Sequence, residues 1–197
     1  MNFNFNNYTG VDFSKCINKE LIGTKTEKNL QTAYCGESKA RNNYTFFAQK
    51  AREEGYEHIA KIFEDTANNE KEHAKIWLKL LNGGTLNTTV ENLKEAASTE
   101  NYEWEDMYAG FAKDAKEEGF DDIAYLFETI RNIEKMHMTR YRKIINDLMN
   151  DLVFTQNEPV KWECAKCGYT FEGTKAPEIC PFCKHPKAYF FIKTNTD

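Results

Sequence analysis

A segment of 30 residues occurs twice in this chain, 64 residues apart. Residues 44–73 align with residues 108–137 without a gap, and 15 of the 30 positions are identical. The shared core reads A-x-E-E-G-x-x-x-I-A-x-x-F-E and closes on E-K-x-H. Any fold of this sequence therefore uses one structural unit twice. Apolar residues in each copy recur at spacings of three and four, as on the buried stripe of an amphipathic helix. Leu30, Ala33, Ala40, Tyr44, Phe47, Ala48 and Ala51 precede Gly55, and Ile59, Ile62, Phe63, Trp77 and Leu81 follow it. In the second copy Ala96, Met107, Phe111 and Ala115 precede Gly119, and Ile123, Leu126, Phe127, Ile130, Tyr141, Ile144 and Leu148 follow it. A glycine at each junction supplies the positive φ that ends a helix. Each copy is predicted to be a helical hairpin, with Asn82-Gly83-Gly84-Thr85 closing the first. Two hairpins make a four-helix bundle.

Proline marks where the helices stop. Pro159, Pro177, Pro181 and Pro186 all lie in the last 39 of the 197 residues, and the 158 residues before them contain none. Long uninterrupted helices require that absence. From Pro159 onward six lysines face four acids, so this part carries +2 of a total charge of −5. An apolar fraction of 41% and a charged fraction of 29% exclude wholesale disorder. No stretch approaches the ~20 apolar residues of a spanning helix. The first residues, MNFNFNNYTGVDF, have neither the basic start nor the apolar run of a signal peptide. With a pI of about 5.5, bulk electrostatics favours neither nucleic acid nor an anionic membrane. A cytoplasmic protein is expected.

The apolar stripes carry seven ionisable groups. Glu37 falls on the first helix, Glu70 and His73 on the second, Glu100 and Glu103 on the third, Glu134 and His137 on the fourth. Unpaired carboxylates in a core are costly, so five of them need a common cause. Their depth supplies one. All seven lie 15 to 19 residues from the turn glycine of their own hairpin. At ~1.5 Å per residue they share one layer, roughly 22 to 29 Å from the turns. The Glu-x-x-His spacing puts both side chains on one helix face, one turn apart. A Glu on each of two helices and Glu-x-x-His on the other two is the donor set of carboxylate-bridged di-metal bundles. Oxygen donors with imidazole suit iron or manganese. His58 and His185 lack this context and are expected to be solvated.

Cys164-Ala-Lys-Cys167 and Cys180-Pro-Phe-Cys183 are separated by twelve residues. Two such knuckles aim four thiolates at one metal, with zinc and iron both compatible with the spacing. A module of this size depends on that metal for stability. Trp162, Tyr169, Phe171, Phe182 and Phe190 would pack around it. A one-electron iron centre beside a two-metal site makes chemical sense, which favours iron. Cys16 and Cys35 have no evident partner and are expected to be free thiols.

The segments GTKTEKNLQTAYCGESKARNNYTFFA, EDTANNEKEHAKIW, ENYEWEDMY, WECAKCGYTF and ICPFCKHPKAYFF together resemble the rubrerythrin family over about residues 23–191. The resemblance implies a ferritin-like diiron four-helix bundle over residues 23–155 and a rubredoxin-like domain with one iron on Cys164, Cys167, Cys180 and Cys183 over residues 156–197. Residues 1–22 would be an extension of unknown role. It implies a non-haem peroxidase that reduces hydrogen peroxide to water and works as a homodimer. Electrons would pass through the tetrathiolate iron from rubredoxin or an NAD(P)H-linked rubredoxin reductase. Glu70 and Glu134 would bridge the two irons, Glu37 and Glu103 would be terminal on one, and Glu100 and His137 on the other. His73 would replace Glu103 on reduction. Tyr44 and Tyr108 match the family's two tyrosines near the site. Lys184 stands where the family has glycine, a mild penalty if the backbone there has positive φ. Two other readings are a ferroxidase that handles iron and a non-enzymatic zinc-ribbon docking scaffold.

Overall fold

Threonine caps and glycine stops set the helix boundaries. The structure, a computed structural model, describes Phe13, Cys16 and residues 20–193. Most of the N-terminal extension therefore lies outside the described residues. Helix α1 (Lys25–Glu53) starts at Thr24, whose hydroxyl accepts from the Glu27 N–H at 3.1 Å. It stops at Gly55, which takes φ +85°. There the Tyr56 N–H reaches back to the Ala51 carbonyl at 2.8 Å, and α2 (Glu57–Leu81) begins. Helix α3 (Thr89–Tyr102) opens on a capping box between Thr88 and Glu91. A π-helical turn (Glu103–Met107) joins it to α4 (Tyr108–Glu117). Gly119, at φ +84°, repeats the stop seen at Gly55, with the Phe120 N–H on the Ala115 carbonyl at 2.8 Å. Helix α5 is Asp121–Met149.

The chain forms two compact units, residues 1–87 and 88–197. In the first, α1 lies against α2; in the second, the α3–α4 rod lies against α5. Alanine makes both seams. Ala48, Ala51 and Ala60 are buried in the first hairpin, and Ala112, Ala115 and Ala124 at the equivalent positions of the second. Small side chains let two helix backbones approach closely, and they leave the large apolar residues for another face. Phe47, Ile59 and Ile62, expected in the core, are exposed, and so are Phe111, Ile123 and Leu126.

After α5 the second unit ends in a small antiparallel sheet of strands β1 (Thr155–Cys164), β2 (Thr170–Lys175) and β3 (Phe190–Ile192), with β1 central. Its core is Trp162, Cys164, Ala176, Cys180 and Phe190. Trp162 is fully buried and donates through Nε1 to the Gly173 carbonyl at 2.9 Å. No described helix is long and apolar enough to cross a membrane.

A Cβ at Gly55 or Gly119 would meet no atom within 4 Å, so φ alone fixes the requirement there. Replacing either by alanine is expected to cost about 1 kcal/mol. Thermal unfolding followed by circular dichroism should show the loss. An unchanged midpoint in both variants would contradict it.

Candidate metal centres

Each hairpin brings three of the predicted groups together. In the first, donor atoms of Glu37 on α1 and of Glu70 and His73 on α2 all lie within 4.8 Å of one another. In the second, Glu100 on α3 and Glu134 and His137 on α5 do the same. The one-turn spacing acts as expected. His73 Nδ1 lies 2.8 Å from Glu70 Oε2, and His137 Nδ1 lies 2.7 Å from Glu134 Oε2. His137 is also 3.6 Å from Glu100 Oε2. All the carboxylates of the set are half-buried.

The second hairpin holds one carboxylate more than the first, and its backbone shows how. Downstream of Tyr108 the two copies match at a spacing of 64, but upstream Asn29, Leu30, Ala33 and Glu37 match Asn92, Leu93, Ala96 and Glu100 at a spacing of 63. One extra residue lies between, and the π turn Glu103–Met107 absorbs it. An extra residue inside a helix is what a π turn is. Glu100 is therefore the counterpart of Glu37, while Glu103 opens the π turn and corresponds to Ala40. The break leaves the Trp104 carbonyl to accept from Arg131 Nε at 2.9 Å. Lys135 stacks over the Trp104 ring at 4.7 Å, and Arg142 donates to Asn101 Oδ1 at 2.9 Å. Three basic residues of α5 thus brace the segment that carries Glu100 and Glu103. Sequence reading did not single them out; the change of spacing from 64 to 63 was the available signal.

Crowding is visible in the proton affinities. Burial raises the Glu100 carboxyl, helped by a hydrogen bond shared with Glu134 and by the charge of that neighbour. Burial and Glu134 also raise Glu103. The Tyr108 phenol is raised by burial and then by Glu103, Glu134 and Glu100. Tyr108 therefore lies within electrostatic reach of three carboxylates. Its ring packs on Phe111 and Phe127, with centroids at 6.1 and 6.0 Å. Tyr44 sits in the equivalent triad with Phe47 and Phe63. Divalent cations fit these oxygen and imidazole donors, because positive charge relieves carboxylates that resist joint ionisation.

The four knuckle cysteines converge within 4.8 Å. Cys164 and Cys183 sulfurs are 3.7 Å apart, as are those of Cys167 and Cys180. Four sulfurs at about 2.3 Å from a tetrahedral metal would lie about 3.8 Å apart, against ~2.05 Å in a disulfide. The spacing is that of a metal site. The Tyr169 N–H favours the Cys167 thiolate, yet burial and the three neighbouring sulfurs push this thiol up to about 12. Burial opposes ionisation of Cys180, but N–H groups of Cys183 and Phe182 outweigh it and bring the thiol down to about 7. The two knuckles mirror one another. Gly168 takes φ +73° and donates its N–H to the Cys164 carbonyl at 2.9 Å; Lys184 takes φ +63° and donates to the Cys180 carbonyl at 3.0 Å. The strained position expected at Lys184 is present, and its ammonium bonds the Pro181 carbonyl at 2.8 Å. His58 is exposed as expected. His185 is not solvated: it is half-buried, stacked edge-on to Tyr189, with Nδ1 3.2 Å from the Cys183 carbonyl. The tight second knuckle turns it inward.

Comparison with known proteins places this geometry. The rubrerythrin family profile matches residues 28–145, and the rubrerythrin rubredoxin-like domain profile matches residues 162–191. A rubrerythrin of Porphyromonas gingivalis is 46% identical over 191 residues, covering 91% of this chain and 96% of its own. A rubrerythrin of Nitratidesulfovibrio vulgaris is 42% identical over 183 residues, covering 87% and 96%. A solved nigerythrin in its mixed-valence state is 31% identical and covers 94% of each chain, at a TM-score of 0.33. With the family profile spanning well over half of the sequence and close relatives matching along nearly all of it, the chain belongs to the rubrerythrin family, joining a ferritin-like diiron domain to a rubredoxin-like iron domain.

Proposed function

We propose that the protein is a peroxidase that reduces hydrogen peroxide to two waters. The observation that carries this reading is the presence, in one chain, of two carboxylate–histidine half-sites and a tetrathiolate site. The reaction consumes two electrons and two protons for each O–O bond broken. Glu37, Glu70, Glu100, Glu103, Glu134 and His137 would hold two ferrous ions able to supply that electron pair, and Cys164, Cys167, Cys180 and Cys183 would hold an iron able to relay single electrons.

The side chains divide the remaining work. Glu70 and Glu134, each within hydrogen-bond distance of the histidine one turn on, would be the ligands shared by the two metals. Glu37 and Glu103 would serve one metal, and Glu100 and His137 the other. His73 is more exposed than His137, at 51% against 37%. That greater freedom supports His73 as the ligand that exchanges with Glu103. Glu103, on the π turn, is the carboxylate without a counterpart in the first hairpin and so the one the layer can release. Tyr108 keeps its proton through neutral pH and above, because burial and then three carboxylates oppose its ionisation. It is a hydrogen-bond donor toward the layer, and Tyr44 is its equivalent in the first hairpin. The thiolates of Cys164, Cys167, Cys180 and Cys183 hold the relay iron. An NAD(P)H-linked rubredoxin reductase is the electron donor, and the working form is a cytoplasmic homodimer.

Two measurements test the reading. In Cys164→Ser, NADH-linked peroxide turnover in a reconstituted reductase assay should fall to background, while chemically reduced protein still consumes about one peroxide per site in a single turnover. Linked turnover at the wild-type rate would remove the relay. Uptake of ferrous iron far beyond three per chain, with slow peroxide consumption, would favour a ferroxidase instead. Protons compete with metal at Glu100 and Glu103, whose affinity for protons is raised. Raised values mean that these carboxyls begin to bind protons at a higher pH than free glutamate does. Ferrous affinity of the metal-free protein should therefore weaken as pH falls. In Glu103→Ala that dependence should flatten, and an unchanged slope would take Glu103 out of the ligand set.

A further inference from the structure

The duplication shows which side chains go with the π turn. At a spacing of 64, Arg131 corresponds to Ala67 and Arg142 to Leu78. Ala67 is buried in a hairpin whose first helix runs unbroken over Lys25–Glu53. In the second hairpin the π turn Glu103–Met107 interrupts the matching rod. Arg131 bonds the turn itself, and Arg142 bonds Asn101 just upstream of it. Lys135 covers Trp104 as well, but Lys71 fills the matching position, so that lysine does not distinguish the two copies. Arginine on α5 and the π turn are thus two differences between the hairpins that meet at one place.

The turn decides which way the upstream carboxylates face. Seven steps lead from Glu37 to Tyr44, and eight from Glu100 to Tyr108. At ~100° per residue, seven steps return to within about 20° of the starting face, and eight overshoot it by about 80°. A π turn absorbs one residue and restores the shared face. In it the Tyr108 N–H donates to the Glu103 carbonyl, five residues back. Arg131 Nε donates to the next carbonyl, that of Trp104, at 2.9 Å. The guanidinium is itself anchored, because Nη1 donates to both Glu128 carboxylate oxygens at 3.3 and 3.2 Å. The upstream edge is pinned by Arg142 on Asn101 Oδ1 and by Asn101 Nδ2 on Glu105 Oε2, both at 2.9 Å.

We infer that Arg131 is a positioning residue for the carboxylate cluster of the second hairpin. Its bond to the Trp104 carbonyl stabilises the π turn, and the π turn holds Glu103 beside Glu100 and Glu134. Glu103 immediately precedes Trp104, so a shift of that peptide passes directly to the Glu103 side chain. Without the arginine the Trp104 carbonyl loses a charged donor, and the α-helical and π-helical arrangements of the segment come closer in energy. The inference rests on Glu103 as a metal ligand, as proposed above, and adds to it the residue that places this ligand.

Arg131→Ala, which copies the side chain at Ala67, tests it in the full-length protein. Amide hydrogen exchange without added metal, read by mass spectrometry on peptides spanning residues 103–108, should become about tenfold faster. Peptides from the first hairpin should exchange as in the wild type. Anaerobic titration with ferrous iron should show the iron bound beyond the tetrathiolate held about tenfold more weakly. Arg131→Lys keeps one donor for the carbonyl and should stay within about threefold of the wild type in both measurements. Deletion of Asp106, an exposed residue of the turn, restores the seven-step spacing of the first hairpin. In that background Arg131→Ala should change the exchange less than about twofold, because no π turn is left to hold. Wild-type exchange in Arg131→Ala, or the same acceleration with and without the deletion, would overturn the inference. Should the deletion variant not fold, the two Arg131 variants decide alone, and equal losses in both would overturn it. Glu103→Ala is titrated in parallel. If it binds ferrous iron as tightly as the wild type, the ligand assignment fails instead, and exchange at residues 103–108 still decides what Arg131 holds.

Discussion

The structure depends on one electrostatic constraint: in the second hairpin the carboxylates of Glu100, Glu103 and Glu134 have to share a small volume. Glu100 and Glu134 lie close enough to share a proton, and Glu103 is raised by the charge of Glu134. Without cations this layer works against the fold, because each added negative charge makes the next ionisation harder. Divalent cations would relieve the same charges. The helix period holds these half-buried glutamates close together within the second hairpin. The tetrathiolate domain obeys the same rule on a smaller scale. Four sulfurs converge, the Cys167 thiol is pushed up and the Cys180 thiol down, and a small sheet packed on Trp162 has little core beyond them.

Duplication supplies a symmetric donor set, and a single inserted residue breaks the symmetry. The π turn at Glu103–Met107 gives the second hairpin a carboxylate that the first lacks. A π turn costs helix hydrogen bonds, and here α5 compensates: Arg131 takes the Trp104 carbonyl, and Lys135 covers its ring. The inserted residue therefore makes the two half-sites chemically different, with two carboxylates and a histidine in the first hairpin and three carboxylates and a histidine in the second.

Much of this was legible in the sequence for a simple reason. Helix period, glycine stops and C-x-x-C knuckles are local signals, and the meeting of Glu37 with Glu70 and His73, and of Glu100 with Glu134 and His137, follows from counting residues at a fixed rise. The π turn was not legible in the same way. It shows only as a slip of one residue between the two halves of a repeat, and a gapless alignment starting at Tyr44 passes over it. His185 was misjudged because the tight second knuckle, with Lys184 at φ +63°, turns the ring inward. The exposure of Phe47 and Ile59 was missed for a third reason. Periodicity identifies an apolar stripe, but it does not say how much of the stripe the neighbouring helix covers.

That last point separates two kinds of helix contact in this protein. The seam within each hairpin is alanine, at Ala48, Ala51 and Ala60 and again at Ala112, Ala115 and Ala124. Alanine gives close approach but buries little apolar area, so each seam alone contributes modest stability. The larger apolar area, from phenylalanine, isoleucine and leucine, lies on the helices that also carry the candidate metal ligands. A hairpin can therefore close through its turn and its alanine seam while its larger apolar side chains stay exposed. On each hairpin the half-buried carboxylates oppose further burial, and the apolar residues favour it.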